Sequence, residues 1–322
     1  MIVVTGGAGF IGSAFVWKLN QQGLDNIIIV DELSDSEKWK NLVGLKYADY
    51  IHKDDFIQLI SEDMSFNVDA IIHMGACSAT TETDGDYLME NNYKYTQILA
   101  DWAIENDAYF MYASSAATYG DGENGFEDDV SFLDKLKPIN RYGYSKHLFD
   151  LYAERNQLWD NVVGLKFFNV FGPNEHHKES MRSVMCKAYP QVLKEGEMHL
   201  FKSYNKAYKD GEQKRDFIYI KDVINIMWWL FENRKVTGLY NVGTGGAKSW
   251  NDVANAMFKA INKPSVITYI DMPEQLRGQY QYFTEAPMSK LTSAGCPVVC
   301  QSLEASISDY IHGYLSTDTL LT

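Results

Sequence analysis

Cysteine is scarce in this chain, with four in 322 residues, and Cys77, Cys186, Cys296 and Cys300 are scattered. Cys296 and Cys300 have the wrong spacing for a C-x-x-C site, so the four read as reduced, packed thiols rather than a disulfide framework or a thiolate metal centre. Positive charge is also in deficit: 29 Lys and Arg against 43 Asp and Glu leave a formal charge of −14. That balance argues against a nucleic-acid or anionic-membrane surface, while leaving room for a local basic pocket that takes a phosphorylated ligand. No apolar run reaches the roughly 18 residues that a bilayer span requires, and no positively charged leader opens the chain, so a cytoplasmic protein is expected. Internal repeats and low-complexity linkers are missing too. A 46% hydrophobic content over this length suffices for a large core and two lobes.

What is present is concentrated at the beginning. Ile2 to Val4 form a short apolar strand, Thr5-Gly6-Gly7-Ala8-Gly9-Phe10-Ile11-Gly12 a glycine turn, and Ser13 to Leu19 a helix-compatible stretch. Gly7, Gly9 and Gly12 satisfy G-x-G-x-x-G, in which glycines permit the tight turn, the approach of backbone to a pyrophosphate, and close helix–strand packing. The pyrophosphate would sit on the free N–H groups at the helix start. Alone, such a pattern is an ordinary turn. Here a second strand, Asn26 to Val30, ends at Asp31, where a ribose-binding carboxylate belongs.

Apolar strands then alternate with amphipathic helices, the pattern of a doubly wound parallel α/β sheet of Rossmann type. Strands are expected at Val68–His73, Tyr109–Ala113, Val162–Phe168, Arg215–Ile220 and Leu239–Val242. Helices are expected at Asp54–Ile60, Leu88–Glu105, around Tyr142, at Ser180–Lys194, through Trp228, Trp229 and Phe231, from Ser249 to Ala260, and over Ser302–Tyr314. Residues 1–168 plus 216–242 are assigned to the dinucleotide-binding domain, and 169–215 plus 243–322 to a smaller α/β substrate-binding lobe. Asn205 to Lys214 reads as a long polar loop.

Tyr142 and Lys146 are four residues apart, and so share one helix face. A lysine ammonium one turn away, aided by a positive nicotinamide, is expected to lower the phenol pKa from about 10 and make Tyr142 a usable base. Ser115, at the end of a strand, would hydrogen-bond the alcohol oxygen, and Lys146 would also hold the nicotinamide ribose.

These residues resemble the extended short-chain dehydrogenase/reductases, the nucleotide-sugar epimerase and dehydratase group. The resemblance extends through Asn169-Val170-Phe171-Gly172-Pro173, Arg215-Asp216-Phe217-Ile218-Tyr219 and Asn241-Val242-Gly243-Thr244-Gly245. Dehydratases of the group carry Thr-Asp-Glu where this chain has Ser115-Ala116-Ala117, which argues against dehydration. Within the group the chain is most similar to the ADP-heptose 6-epimerases. Gly75-Ala76-Cys77-Ser78, the run Tyr112 to Gly120, His177-Lys178 with Ser180-Met181, and Gly278-Gln279-Tyr280-Gln281 with Phe283-Thr284 carry that likeness.

The resemblance implies inversion at C6 of the heptose in ADP-D-glycero-D-manno-heptose, giving the L-glycero epimer for the inner core of lipopolysaccharide. It also implies a homo-oligomer, a pentamer. It places Gly6, Gly9, Phe10, Ile11, Gly12, Asp31, Glu32, Lys38, Lys53, Met74, Gly75, Ala76, Cys77, Ser78, Asn91, Tyr142, Lys146 and Val170 at the cofactor. Asn169, Lys178, Ser180, Lys187, Phe201, Lys202, Ser203, Tyr204, Arg215 and Tyr280 fall at the substrate, with Lys178 as a second acid/base. Taken by itself, Lys178 between His177 and Glu179 reads as a solvated loop residue, and Arg215 alone as a structural ion-pair partner. Arg215 and Lys187 are the cations expected at the substrate diphosphate. Adjacent His176 and His177 diverge and lack a third ligand, so no metal is expected. NADP is the expected cofactor, favoured by Lys38 and Lys53, with NAD as the alternative favoured by the acidic pair Asp31-Glu32. A nucleotide-hexose 4-epimerase of the same group and a non-catalytic dinucleotide sensor are the competing readings.

Overall fold

The structure is a computed structural model and describes residues 1–62, 67–278 and 280–322. Gln279, one of the residues carrying the resemblance, lies outside the described residues. The central sheet has seven parallel strands: β1 (Ile2–Thr5), β2 (Ile27–Asp31), β3 (Asp49–His52), β4 (Ala70–His73), β5 (Tyr109–Ser115), β6 (Val162–Phe167) and β7 (Gly238–Val242). Their spatial order is β3-β2-β1-β4-β5-β6-β7. The order reverses between β1 and β4, which makes the crevice beyond their carboxyl ends the ligand site of a Rossmann-type sheet. Parallel strands covered on both faces must be apolar throughout. Accordingly β1, β2, β4 and β6 are buried at every position, with separate apolar clusters on the two faces.

Three two-stranded pairings lie outside this sheet: Asn169–Phe171 with Phe217–Tyr219, Lys214–Arg215 with Lys248–Ser249, and Met198–Phe201 with Ile267–Ile270. Helix Trp250–Ala260 starts at the expected Ser249, whose hydroxyl accepts from Asp252 N while the Asp252 carboxylate accepts from Ser249 N.

Several elements differ locally from expectation. The strand predicted over Arg215–Ile220 is interrupted at Asp216, and Ile220 opens the following helix. Asp216 is fully buried, its carboxylate accepts from the backbone N–H groups of Thr244, Gly245 and Ala286, and its own N–H donates to Thr284 Oγ1 at 3.4 Å instead of to a neighbouring strand. The helix expected from Ser180 begins at Val184, because Ser183 caps it by accepting from Cys186 N. Helix Gly85–Leu88 continues into Tyr95–Glu105 through a wider π turn over Met89–Lys94. Among the described residues no helix is long and apolar enough to cross a membrane.

Candidate active site

The glycine turn has the shape its sequence requires. Gly6 adopts φ +63°, and a Cβ at Gly12 would overlap the Gly6 carbonyl oxygen. Asp31, at the end of β2 and 6% exposed, accepts from Ala8 N at 2.9 Å and Glu32 N at 2.8 Å, tying the turn to the strand. Lys38 reaches the same carboxylate at 2.7 Å, and Lys53 pairs with Glu32 at 2.9 Å while donating to Asn91 Oδ1 at 3.0 Å. Lys53 holds the Glu32 carboxyl below its ordinary range.

A cavity of about 510 Å³ opens here, at the sheet's switch point. It brings together fifteen of the eighteen candidate cofactor residues: Gly6, Gly9, Phe10, Ile11, Gly12, Asp31, Glu32, Lys38, Lys53, Met74, Gly75, Ala76, Cys77, Ser78 and Asn91. Its far wall is the segment His177–Met181, containing Lys178 and Ser180. A cavity lined by a glycine turn and, next to it, two carboxylates each paired with an ammonium group has the makings of a dinucleotide site.

Ser115, Tyr142 and Lys146 are not part of this wall, but Cys77, which is, lies close enough to act on the ionisation of Tyr142 and Lys146. Helix Arg141–Arg155 is started by Asn140, which accepts from Gly143 N at 2.7 Å. Burial pushes the Tyr142 phenol up, and its hydrogen bond to Ser115 pulls it partly back. The expected lowering by Lys146 is therefore not a property of the chain alone, where desolvation prevails. Ser115 accepts from Ala117 N at 3.1 Å, which leaves its own proton to donate. Lys146 is 3% exposed, and burial lowers its ammonium to about 8 against the opposing pull of Asp150.

Below Lys146 lies a fully buried pair, Lys166 and Asp150 at 2.7 Å, with Tyr112 and Ser114 each donating to Asp150 at 2.8 Å. Lys178 is not a solvated loop residue. Its Nζ sits 5.4 Å from the centre of the Phe10 ring, and burial lowers its pKa.

The other candidate substrate residues lie outside that cavity's wall. Arg215, 6% exposed, donates to the Gln281 carbonyl and stacks 5.0 Å from the Tyr280 ring, whose hydroxyl accepts from Trp250 Nε1 at 2.8 Å. No carboxylate pairs with Arg215 among the described residues, so the structural ion-pair reading does not apply. Lys187 is exposed and donates to the Ser180 carbonyl at 3.2 Å. Lys202 pairs with Asp271 at 3.1 Å, Tyr204 donates to the same carboxylate at 3.0 Å, and Ser203 N donates to Asp210 at 2.7 Å. Phe201 ends its strand just before them. Asn169 and Val170 lie in the short strand Asn169–Phe171.

A family model described as "NAD dependent epimerase/dehydratase family" matches residues 2–243. The chain belongs to that family. Among other members, a protein of Nitratidesulfovibrio vulgaris strain DP4 named ADP-L-glycero-D-manno-heptose-6-epimerase is 57% identical over 317 residues, covering 98% of each chain. One of the same name from Fusobacterium nucleatum is 49% identical over 331 residues, covering 99% of each. The crystal structure of Helicobacter pylori ADP-L-glycero-D-manno-heptose-6-epimerase superimposes with a TM-score of 0.77 at 28% identity, covering 96% of this chain and 94% of that one.

Within this epimerase/dehydratase framework, two supporting residues had no signal in the sequence. Asn92 is buried, accepts from Cys77 N at 2.8 Å, and donates to Cys77 O and Ser145 Oγ at 3.0 Å, joining the cavity's Met74–Ser78 run to the helix of Tyr142. His73 bridges Thr5 Oγ1 at 2.6 Å and Thr96 Oγ1 at 2.9 Å, and burial keeps it neutral.

Lys146 gives a stability prediction. Its folded pKa of about 8 lies below the ordinary 10.5, so below pH 8 both states hold the proton and the folded state carries the full burial cost. Between those values the unfolded chain binds more protons, and stability rises with pH. Lys146→Met, stripped of cofactor, is therefore expected to be more stable than wild type at pH 7 by about 1–3 kcal/mol. Denaturant melts should show that advantage shrinking as the pH is raised toward 10.5.

Proposed function

We propose that this chain is an isomerase that inverts C6 of the heptose in ADP-D-glycero-D-manno-heptose, giving the L-glycero epimer used in the lipopolysaccharide inner core. The observation that carries the reading is Lys178, a lysine drawn out of solvent into the wall of the dinucleotide cavity and held over the Phe10 ring. Identity of 57% to a 6-epimerase over nearly the whole chain supports the same choice.

A carbon bearing only a hydroxyl, with no neighbouring carbonyl, holds its hydrogen too firmly for direct proton removal, so inversion there goes through a temporary ketone. The chemistry that a bound nicotinamide supplies is reversible storage of a hydride, with no net oxidation. Tyr142 Oη takes the C6 hydroxyl proton, and the Ser115 hydroxyl donates to the same oxygen as it becomes a carbonyl. Lys146, buried and protonated at neutral pH, orients the nicotinamide ribose. Once the ketone has turned over, Lys178 Nζ returns a proton to the oxygen, now on the other side. Exchange with water restores both groups. Arg215 and Lys187 take the diphosphate, and Tyr280, Phe201, Lys202, Ser203, Tyr204, Asn169 and Ser180 complete the substrate site.

For the cofactor we propose NADP. Lys38 and Lys53 both line the adenosine end, and a 2'-phosphate would replace Asp31 and Glu32 as their partner. Each charge-assisted contact is worth about 1.5–3 kcal/mol. Lys38→Ala and Lys53→Ala should each weaken NADP binding at least about tenfold and NAD binding much less. Equal losses for both nucleotides, or tighter NAD binding by wild type, would assign the site to NAD.

Purified protein offered ADP-heptose and UDP-hexoses tests the function directly. Inversion at C6 of the heptose is expected. Inversion at C4 of a hexose, with none at C6, would make it a 4-epimerase instead. A cytoplasmic homo-oligomer, with the dinucleotide-binding and substrate-binding domains divided as in the sequence reading, belongs to the same proposal.

A further inference from the structure

One buried carboxylate gathers the loop that carries Lys178. Glu175 is 1% exposed, and its partners are four neutral donors. Oε1 accepts from Gly172 N at 3.2 Å, Ser183 Oγ at 2.7 Å and Tyr310 Oη at 3.0 Å, and Oε2 accepts from Ser183 N. Gly172 and Ser183 are the two ends of the loop, and Tyr310 belongs to the C-terminal helix Leu303–Tyr310. A buried carboxylate without a cation is tolerated only when its oxygens are fully hydrogen-bonded. A carboxamide offers one acceptor oxygen and would turn an N–H₂ toward some of these donors.

The backbone around it is held with equal care. Asn174, fully buried at φ +76°, donates to Ser13 Oγ at 2.9 Å and accepts from Leu321 N at 2.8 Å. Its carbonyl accepts from Asn41 at 3.1 Å, and Asn41 also meets His177 Nδ1 at 3.2 Å. Ser13 lies in helix Phe10–Gln21, which follows the glycine turn, so the loop is registered against the element that forms the cofactor cavity. Glu179, next to Lys178, takes φ +47°, a conformation that a non-glycine residue adopts only when its surroundings impose it.

We propose that Glu175 is the positioning residue for Lys178: by clasping both ends of the Gly172–Ser183 loop, its carboxylate holds the Lys178 ammonium at the cavity. Glu175 is also the negative charge that counters the effect of burial on Lys178. The inference rests on the acid–base role given to Lys178 above.

The test follows reduction of the bound nicotinamide by absorbance in a single turnover, starting separately from each C6 epimer. If Lys178 handles the proton of one epimer and Tyr142 that of the other, Lys178→Met slows one direction selectively. Glu175→Gln should slow the same direction at least about tenfold and the other hardly at all. Tyr310→Phe, which removes one donor and keeps the ring, should show the same bias to a smaller degree, and decides the matter if Glu175→Gln does not fold. Equal slowing of both directions by these variants, or none, overturns the role of Glu175. Absence of any bias in Lys178→Met itself is a different failure: it removes the acid–base reading of Lys178, and this inference with it.

Discussion

Tyr142→Phe is expected to retain cofactor and fold while losing about 10²–10⁴ of its epimerase turnover. The phenol is the group placed to take the sugar hydroxyl proton, and phenylalanine preserves the ring that packs at the start of helix Arg141–Arg155. Because burial raises the phenol pKa in the chain alone, its ionisation depends on Ser115 and on positive charge brought into the site. A bound oxidised nicotinamide carries such a charge, so cofactor and base are coupled electrostatically. The variant should therefore lose turnover in both directions without loss of bound nucleotide, measured by the absorbance and mass of copurifying cofactor. Wild-type turnover would remove Tyr142 from the mechanism.

Lys178→Met is expected to cost about 10²-fold or more in turnover, again with cofactor retained. Methionine keeps an unbranched side chain over the Phe10 ring, so packing is disturbed little and the loss reports the missing ammonium. Burial lowers the Lys178 pKa, which eases proton release to a carbonyl oxygen. A truly solvated lysine would have no such bias, and its replacement would leave turnover unchanged. Product formation from purified ADP-D-glycero-D-manno-heptose is the measurement that checks it.

Much of the candidate site was legible in the sequence. The glycine turn, Asp31 and the strand-end run Met74–Ser78 are local features, in which an apolar strand stops and small residues begin, and they fall around one cavity. Edge strand β3 escaped because Asp49–His52 is short and partly exposed, with no apolar run to mark it. The π turn over Met89–Lys94 changes which way Asn91 and Asn92 point, and a shift in backbone hydrogen bonding leaves no period in the sequence. Lys178 was legible only through resemblance, since its loop is fixed by distant contacts such as Asn41 to the Asn174 carbonyl, 133 positions apart along the chain, and it packs over Phe10 from the first helix. For Tyr142 too, helix spacing shows which charge is near, but not how much water burial has removed from the phenol.

The central claim is that the hydrogen on the inverting carbon leaves as hydride, is kept inside the protein, and comes back to the opposite face. Substrate carrying deuterium at C6 should yield epimerised product that retains the label in ordinary water. Loss of that deuterium to solvent during inversion would contradict the account.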